Sequence, residues 1–281
     1  MPEDRVTRLA VDGPLLVFGG PYSNLQATRA ALAEAARRGI PSRRVICTGD
    51  VVAYGADAAA CCDLVMESGI AVIAGNCEEN LAAGALDCGC GFKEGTACDL
   101  LSRAWYAHAD RQVAPGHRAW MAALPRRLVL DLPDGRSLAV LHGGAHDISR
   151  FLFASAAEAD LAEEIAETGC HGVIAGHCGL PFARRVGAGA WINAGAIGMP
   201  ADDGTPRVWF AVLTPAERNL RVEVLPLDYD HAAAAAAMRA ARLPEGYAAA
   251  LGSGVWPSCD VLPPAERARR GVPLGSVILD W

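Results

Sequence analysis

Four short apolar runs in this chain end in the same way. Val45-Ile-Cys47 leads to Gly49 and presents Asp50, and Ile70-Ala-Val-Ile-Ala74 leads to Gly75 and presents Asn76. Leu138-Ala-Val-Leu141 gives His142 followed by two glycines, and Val173-Ile-Ala175 leads to Gly176 and His177. A buried strand that stops at glycine and then offers a polar side chain is the pattern of an open α/β sheet, where loops leaving the carboxyl ends of strands converge on one crevice. Taken singly each tip has a plain reading: Asp50 can cap the next helix, and a lone histidine is more often a satisfied polar residue than a ligand. Together they supply a carboxylate, an amide and two imidazoles, a donor set suited to a divalent first-row metal.

The rest of the chain supports an α/β architecture. Leu15–Phe18 reads as a first strand, and Asn24–Arg38 carries apolar residues at helical spacing with Gly39 as its stop. Ala56–Ser68 forms a second helix before the Ile70 strand, completing a β-α-β-α-β run for which the right-handed parallel arrangement is the default. After Asn76 the pattern breaks: residues 80–96 include Asp87-Cys-Gly-Cys-Gly91, too rich in glycine for a helix and lacking strand alternation. Helices are expected over Cys98–Asp110, His117–Leu124, Ala156–Thr168 and Asp230–Arg242. Strands are expected over Arg127–Leu132 and Ser137–Leu141, joined by the turn sequence Pro133-Asp-Gly135. Further strands fall around Val173, Arg184–Val186, Ala190–Ile192, Arg207–Leu213 and Leu220–Pro226. This predicts a domain over residues 1–250, with a Cys/Gly-rich insertion at about 80–100, and a Pro/Gly-rich tail over 251–281 packed on it.

At 281 residues the chain is long enough to bury a substantial core. A net charge of -7 speaks against a nucleic-acid surface, which is normally basic. No apolar run approaches the ~18 residues needed to span a bilayer. The start, Met1-Pro-Glu-Asp-Arg-Val6, lacks the basic and apolar stretches of a signal peptide. The expected location is the cytoplasm, and the expected partner is a small phosphorylated substrate rather than a membrane or nucleic acid. In a reducing compartment the ten cysteines are available for metal or redox chemistry.

Gly49-Asp-Val-Val-Ala-Tyr-Gly55, Gly75-Asn-Cys-Glu78, Leu141-His-Gly143, Gly176-His177 and Trp191-Ile-Asn-Ala-Gly-Ala-Ile-Gly-Met-Pro200 resemble, in order and spacing, the successive motifs of calcineurin-like metallophosphoesterases of the small bacterial phosphodiesterase/phosphatase type. The likeness runs from about Leu15 to Leu243. It implies a four-layer α/β/β/α sandwich with a metal site at the carboxyl ends of the strands, and hydrolysis of phosphomonoesters or phosphodiesters by metal-activated water. Three motifs diverge. The family's Asp-x-His after the first strand is Gly20-Pro-Tyr22 here, its Gly-Asn-His is Gly75-Asn-Cys77, and its Gly-His-x-His is Gly176-His-Cys-Gly179. By resemblance, one metal site keeps Asp50, Asn76, His142 and His177, while the other loses its own ligands and retains only the shared Asp50. Cys77 stands where the family places the imidazole that assists the leaving group.

The resulting expectation is a metal-dependent phosphoesterase with an altered centre of one or two Mn, Fe or Zn ions. Tyr22, Cys88, Cys90 and His146 are candidate replacement ligands, with the Cys88-Gly-Cys90 loop folding over the crevice to supply thiolates; Cys88 and Cys90 also read as a redox pair. Arg150 is a candidate phosphate contact. The competing readings are a non-hydrolytic metal-thiolate or redox protein, or an inactive regulatory module, on the same scaffold.

Overall fold

The computed structural model describes residues 7–217 and 219–281, so the Met1–Val6 segment on which the signal-peptide reading rests lies outside the described residues. From β1 (Thr7–Ala10) and β2 (Leu15–Phe18) the chain crosses through α1 (Leu25–Arg37) to β3 (Val45–Cys47), and through α2 (Ala58–Ser68) to β4 (Ala71–Val72). Helices α3 (Asn76–Ala83), α4 (Ala97–Gln112) and α5 (Pro115–Ala123) follow. The strands β5 (Leu128–Asp131) and β6 (Ser137–Val140) lead through α6 (Glu158–Thr168) to β7 (Gly172–Ala175), β8 (Pro181–Val186) and β9 (Gly189–Ala194). Then come β10 (Val208–Pro215), β11 (Leu220–Leu227), α7 (His231–Ala240), α8 (Glu245–Ser253), α9 (Pro264–Arg267) and β12 (Val277–Asp280).

The strands make two six-stranded sheets, ordered β1-β5-β6-β7-β9-β8 and β12-β11-β10-β2-β3-β4. Side-chain alternation explains why both faces of each are covered. Val17 and Ile46 point inward to meet Leu138, Val140, Ile174 and Ile192 of the other sheet. Leu16, Phe18, Val45 and Cys47 point outward onto Ala27 and Ala31 of α1 and Cys61 and Val65 of α2. On the far side, Ala139, Val173 and Trp191 pack against Leu161 and Ile165 of α6. The layers are therefore helices, sheet, sheet and helix. The pairs β2–β3, β3–β4 and β6–β7 are parallel, so the carboxyl ends of β3 and β4 in one sheet and of β6 and β7 in the other open on the same region.

Four elements escape a reading by periodicity. The helix α3 has Leu81 as its single large apolar residue, too few to mark a stripe; it is set instead by Gly75 at its N-cap and acidic Glu78 and Glu79 in its first turn. β1 and β12 are edge strands, exposed or half-buried along their length. α8 runs across position 250, and β12 pairs antiparallel with β11, so the segment after 250 completes a sheet.

Trp281 pins that last strand. Its indole Nε1 donates to Ala188 O at 3.0 Å in the turn between β8 and β9, and its backbone N–H donates to Leu220 O at 2.9 Å in the other sheet. The Arg136 guanidinium lies 4.1 Å from the ring centroid. Trp281→Ala is expected to lower stability by about 3 kcal/mol, the scale for emptying a buried indole site, measured as a shift in the urea unfolding midpoint at unchanged slope.

Candidate metal centre

The β3 strand tip turns sharply into Asp50. Gly49 has φ 94 and Asp50 φ 54, so the carboxylate residue itself sits in the left-handed region that non-glycine residues seldom occupy. A Cβ on Gly49 would lie 2.6 Å from Gly75 N, and one on Gly75 would lie 2.3 Å from Asp50 Oδ1. Two glycines thus allow the β3 and β4 tips to touch. The buried Glu78 carboxylate ties them together, accepting from the backbone N–H of Asp50 at 2.7 Å, Gly75 at 2.9 Å and Val52 at 3.3 Å. Burial, then the neighbouring Asp50 charge, pushes its pKa up to about 7.

The four strand-tip side chains meet. His142 Nε2 lies 3.1 Å from Asn76 Oδ1, 3.1 Å from His177 Nδ1 and 3.3 Å from Asp50 Oδ2. Asp50, Asn76 and His142 are each aimed by a second partner, as metal ligands commonly are. His142 Nδ1 donates to Thr48 O at 2.7 Å, which leaves Nε2 of the neutral ring as an acceptor. Asn76 Nδ2 donates to Cys88 O at 2.8 Å, which turns its amide oxygen toward the cluster. Asp50 Oδ1 accepts from Cys77 N at 3.3 Å, leaving Oδ2 for His142. Asn193 donates to Gly176 O at 2.8 Å and so supports the loop that carries His177, itself at φ 58.

The electrostatics follow from burial. Desolvation works against charge on both Asp50 and His142, but their proximity overrides it: His142 draws the Asp50 pKa below its ordinary value and Asp50 raises that of His142. His177 goes the other way, pushed down to about 3 by burial and then by His142, so it stays a neutral ligand. Its Nε2 is buried without a hydrogen-bond partner. Two acceptor oxygens and an imidazole nitrogen therefore crowd round a second imidazole nitrogen with too few protons to pair them. A cation resolves that arrangement, and the carboxylate, amide and imidazole donors fit a divalent first-row ion. Ligand atoms of Asp50, His142 and His177 lie within 4.8 Å of one another, the single group of three or more His, Cys, Asp or Glu so placed among the described residues.

The other residues singled out by sequence are placed differently. Cys77 is buried beside Asp50, and burial followed by the Asp50 and Glu78 charges pushes its thiol well above the ordinary range. The Cys88 and Cys90 loop does reach the crevice, with Cys90 Sγ 3.4 Å from Asn76 Nδ2. The two sulfurs are joined in a disulfide, however, so neither is a thiolate in this structure, and the loop meets Asn76 through the Cys88 carbonyl as well as the Cys90 sulfur. Tyr22 is buried against Tyr54 at 4.9 Å, and burial holds its hydroxyl protonated rather than as a phenolate. His146 is exposed and pairs with Glu167 at 2.9 Å, away from the cluster. Arg150 is engaged by Glu164. The supporting residues Glu78, Thr48 and Asn193 had no role from sequence, although Glu78 and Asn193 lie within the family-like motifs and Glu78 is an acidic residue three positions after Gly75 at a helix start.

Residues 23–218 match the model of the calcineurin-like phosphoesterase superfamily domain. The metallophosphoesterase from Sphaerobacter thermophilus is 25% identical with a TM-score of 0.67, over 86% of this chain and 99% of that one. A hypothetical protein from Pyrococcus horikoshii OT3 shares the fold at 16% identity with a TM-score of 0.71, over 88% and 100% of the two chains. Among curated proteins no sequence matches. With well over half its length matched and the strand-tip cluster in place, the chain belongs to the calcineurin-like phosphoesterase superfamily.

Proposed function

We propose that this protein is a metal-dependent phosphoesterase that works with one first-row ion, held by Asp50, Asn76, His142 and His177. The observation that carries this reading is the convergence of Asn76 Oδ1, His177 Nδ1 and Asp50 Oδ2 on His142 Nε2 within 3.3 Å. A bound ion there supplies Lewis-acid polarisation of a phosphoryl oxygen and a water of lowered pKa. The chain supplies rigidity: Thr48, Cys88 and Cys77 backbone groups each fix one ligand, so little reorganisation is needed when substrate arrives. Gly20 and Tyr22 stand where the family motif would offer an Asp and a His, which supports a mononuclear centre and slower turnover than a two-metal clamp provides.

The substrate in this reading is a small phosphorylated compound. A polar cavity of about 330 Å³ reaches His142 and includes Arg126, Arg127, His146 and Glu167 in its lining, with His146 paired to Glu167 and Arg126 to Glu79. No helix among the described residues is long and apolar enough to cross a membrane.

Elemental analysis of the purified protein is expected to find about one transition-metal ion per chain, as one closed ligand set implies. Chelation should abolish hydrolysis of p-nitrophenyl phosphate and bis-p-nitrophenyl phosphate, with Mn, Fe or Zn restoring it. Asn76→Ala and His142→Ala should each lose both the ion and the activity; two ions per chain, or full activity in either variant, would reject the single-site reading. Glu78→Gln keeps the shape of the side chain but presents an amide N–H₂ where a carboxylate oxygen received backbone donors. It is expected to weaken metal affinity by about tenfold, read by competition with a chromogenic chelator, while circular dichroism stays unchanged.

A further inference from the structure

A second cavity, of about 60 Å³, reaches the cluster at His177 and differs in character from the polar one at His142. Its walls are aromatic: Tyr22, Tyr54, Phe92, Phe151, Tyr247 and Trp256. Among the described residues no Lys, Arg, Asp or Glu lines it. The rings brace one another. Phe151 lies 4.2 Å from the His177 ring, and Tyr54 lies 4.9 Å from both Tyr22 and Tyr247. Trp256 is fixed at both ends, its Nε1 donating to Pro200 O and its backbone N–H to Asp202 Oδ1, each at 2.6 Å. The indole packs over the chain two residues beyond His177, where Gly179 takes the left-handed φ of 72.

These aromatic walls come from five separate parts of the chain: the β2 tip, the loop after β3, the loop before α4, the segment after β6, and residues 247–261. They hold apolar surface open beside a cluster of buried polar ligands. An apolar pocket with rigid aromatic walls binds by burying matching apolar surface, and its preorganisation spares the cost of ordering side chains on binding. Without a cation to meet a second phosphate or an anion to meet an ammonium group, a charged substituent would lose hydration with nothing in return. The volume is far too small for the paired nucleosides of a dinucleotide.

Resting on the phosphoesterase reading above, we infer that the substrates are esters in which a single phosphoryl group is linked to an uncharged aromatic ring, with the phosphoryl group at the Asp50–Asn76–His142–His177 cluster and the ring between Trp256, Phe151 and Tyr247. Hydrolysis of such an aryl ester breaks the bond between phosphorus and the aryl oxygen, adds water oxygen to phosphorus, and passes the water's protons to the two products. No oxidant or further reactant is needed. The phenolate leaving group has an aqueous pKa of ~10, which lowers the demand for a proton donor at the leaving oxygen.

The test uses the metal-loaded protein and binding as well as turnover. Phenol binding is read by quenching of tryptophan fluorescence, with Trp256→Leu as the control that removes the reporting indole. Phenylphosphonate and methylphosphonate, which cannot be hydrolysed, are compared by calorimetry. Phenylphosphonate is expected to bind tighter by about tenfold or more, the scale for burying one ring. Both Trp256→Leu and Ser258→Trp should erase that preference while leaving methylphosphonate affinity in place; the second variant plugs the cavity from its rim and removes no anchor. In turnover, phenyl phosphate should exceed glycerol phosphate in kcat/KM by more than its leaving group explains, and Ser258→Trp should remove that excess. Equal binding of the two phosphonates, or a preference that survives both variants, overturns the inference. If phenol binds and Ser258→Trp abolishes it, but neither phosphonate gains affinity from the metal, the ring pocket stands and the phosphoesterase reading fails instead.

Discussion

The Glu78 carboxylate holds two strand tips in place. Strands β3 and β4 are three and two residues long, too short for their own ladder to define where Asp50 and Asn76 point. One buried carboxylate accepting from the backbone of Asp50, Val52 and Gly75 does what the ladder cannot. It satisfies donors that would otherwise be buried without partners, a cost of roughly 1–3 kcal/mol each. It also concentrates negative charge beside Asp50, and that charge is tolerable only if a proton or a metal ion is held nearby. The positioning of the site and its appetite for a cation thus have one origin.

The two sheets then contribute unequally. One carries the candidate oxygen donors, Asp50 and Asn76, and the other carries the candidate nitrogen donors, His142 and His177. Their packing through Val17, Ile46, Leu138 and Ile174 is what brings oxygen and nitrogen donors within reach. A centre built across a sheet–sheet interface inherits the rigidity of the core beneath it, because close-packed interiors do not deform gradually. The left-handed conformations at Asp50 and His177 fit the same picture: strain at a ligand residue persists where surrounding structure over-determines it. The cavities add an asymmetry, with polar lining at His142 and aromatic lining at His177. A substrate that bridges the cluster meets two chemically different surroundings.

Departures from the family motifs have local structural answers. Where the first motif would place ligands, Tyr22 forms a wall of the aromatic cavity and stacks edge-on to Tyr54. Where an imidazole would follow Asn76, Cys77 is buried against Asp50 and Glu78. The Cys88–Cys90 loop covers Asn76, its Cys88 carbonyl and Cys90 sulfur both accepting from the amide nitrogen. The region of the lost ligands has become apolar and aromatic.

The sequence by itself determined the strand tips, because an apolar run ending in glycine and a polar residue can be read from local order alone. It therefore gave Asp50, Asn76, His142 and His177 and the α/β class, and resemblance supplied the layering. Most helices were legible from periodicity and stop signals, as in α1 with Asn24 and Gly39 at its ends. What periodicity could not show were α3, too short to display a stripe, and the edge strands β1 and β12, whose partners lie far along the chain. Only the tertiary structure decided which side chains serve the ligands. Glu78, Thr48 and Asn193 act across contacts between elements, and His146 and Arg150, close to His142 in sequence, turn away to Glu167 and Glu164. The aromatic cavity was likewise hidden, since its six rings come from five separated stretches and no local pattern links residues that meet only when the sheets and the segment after β11 close together.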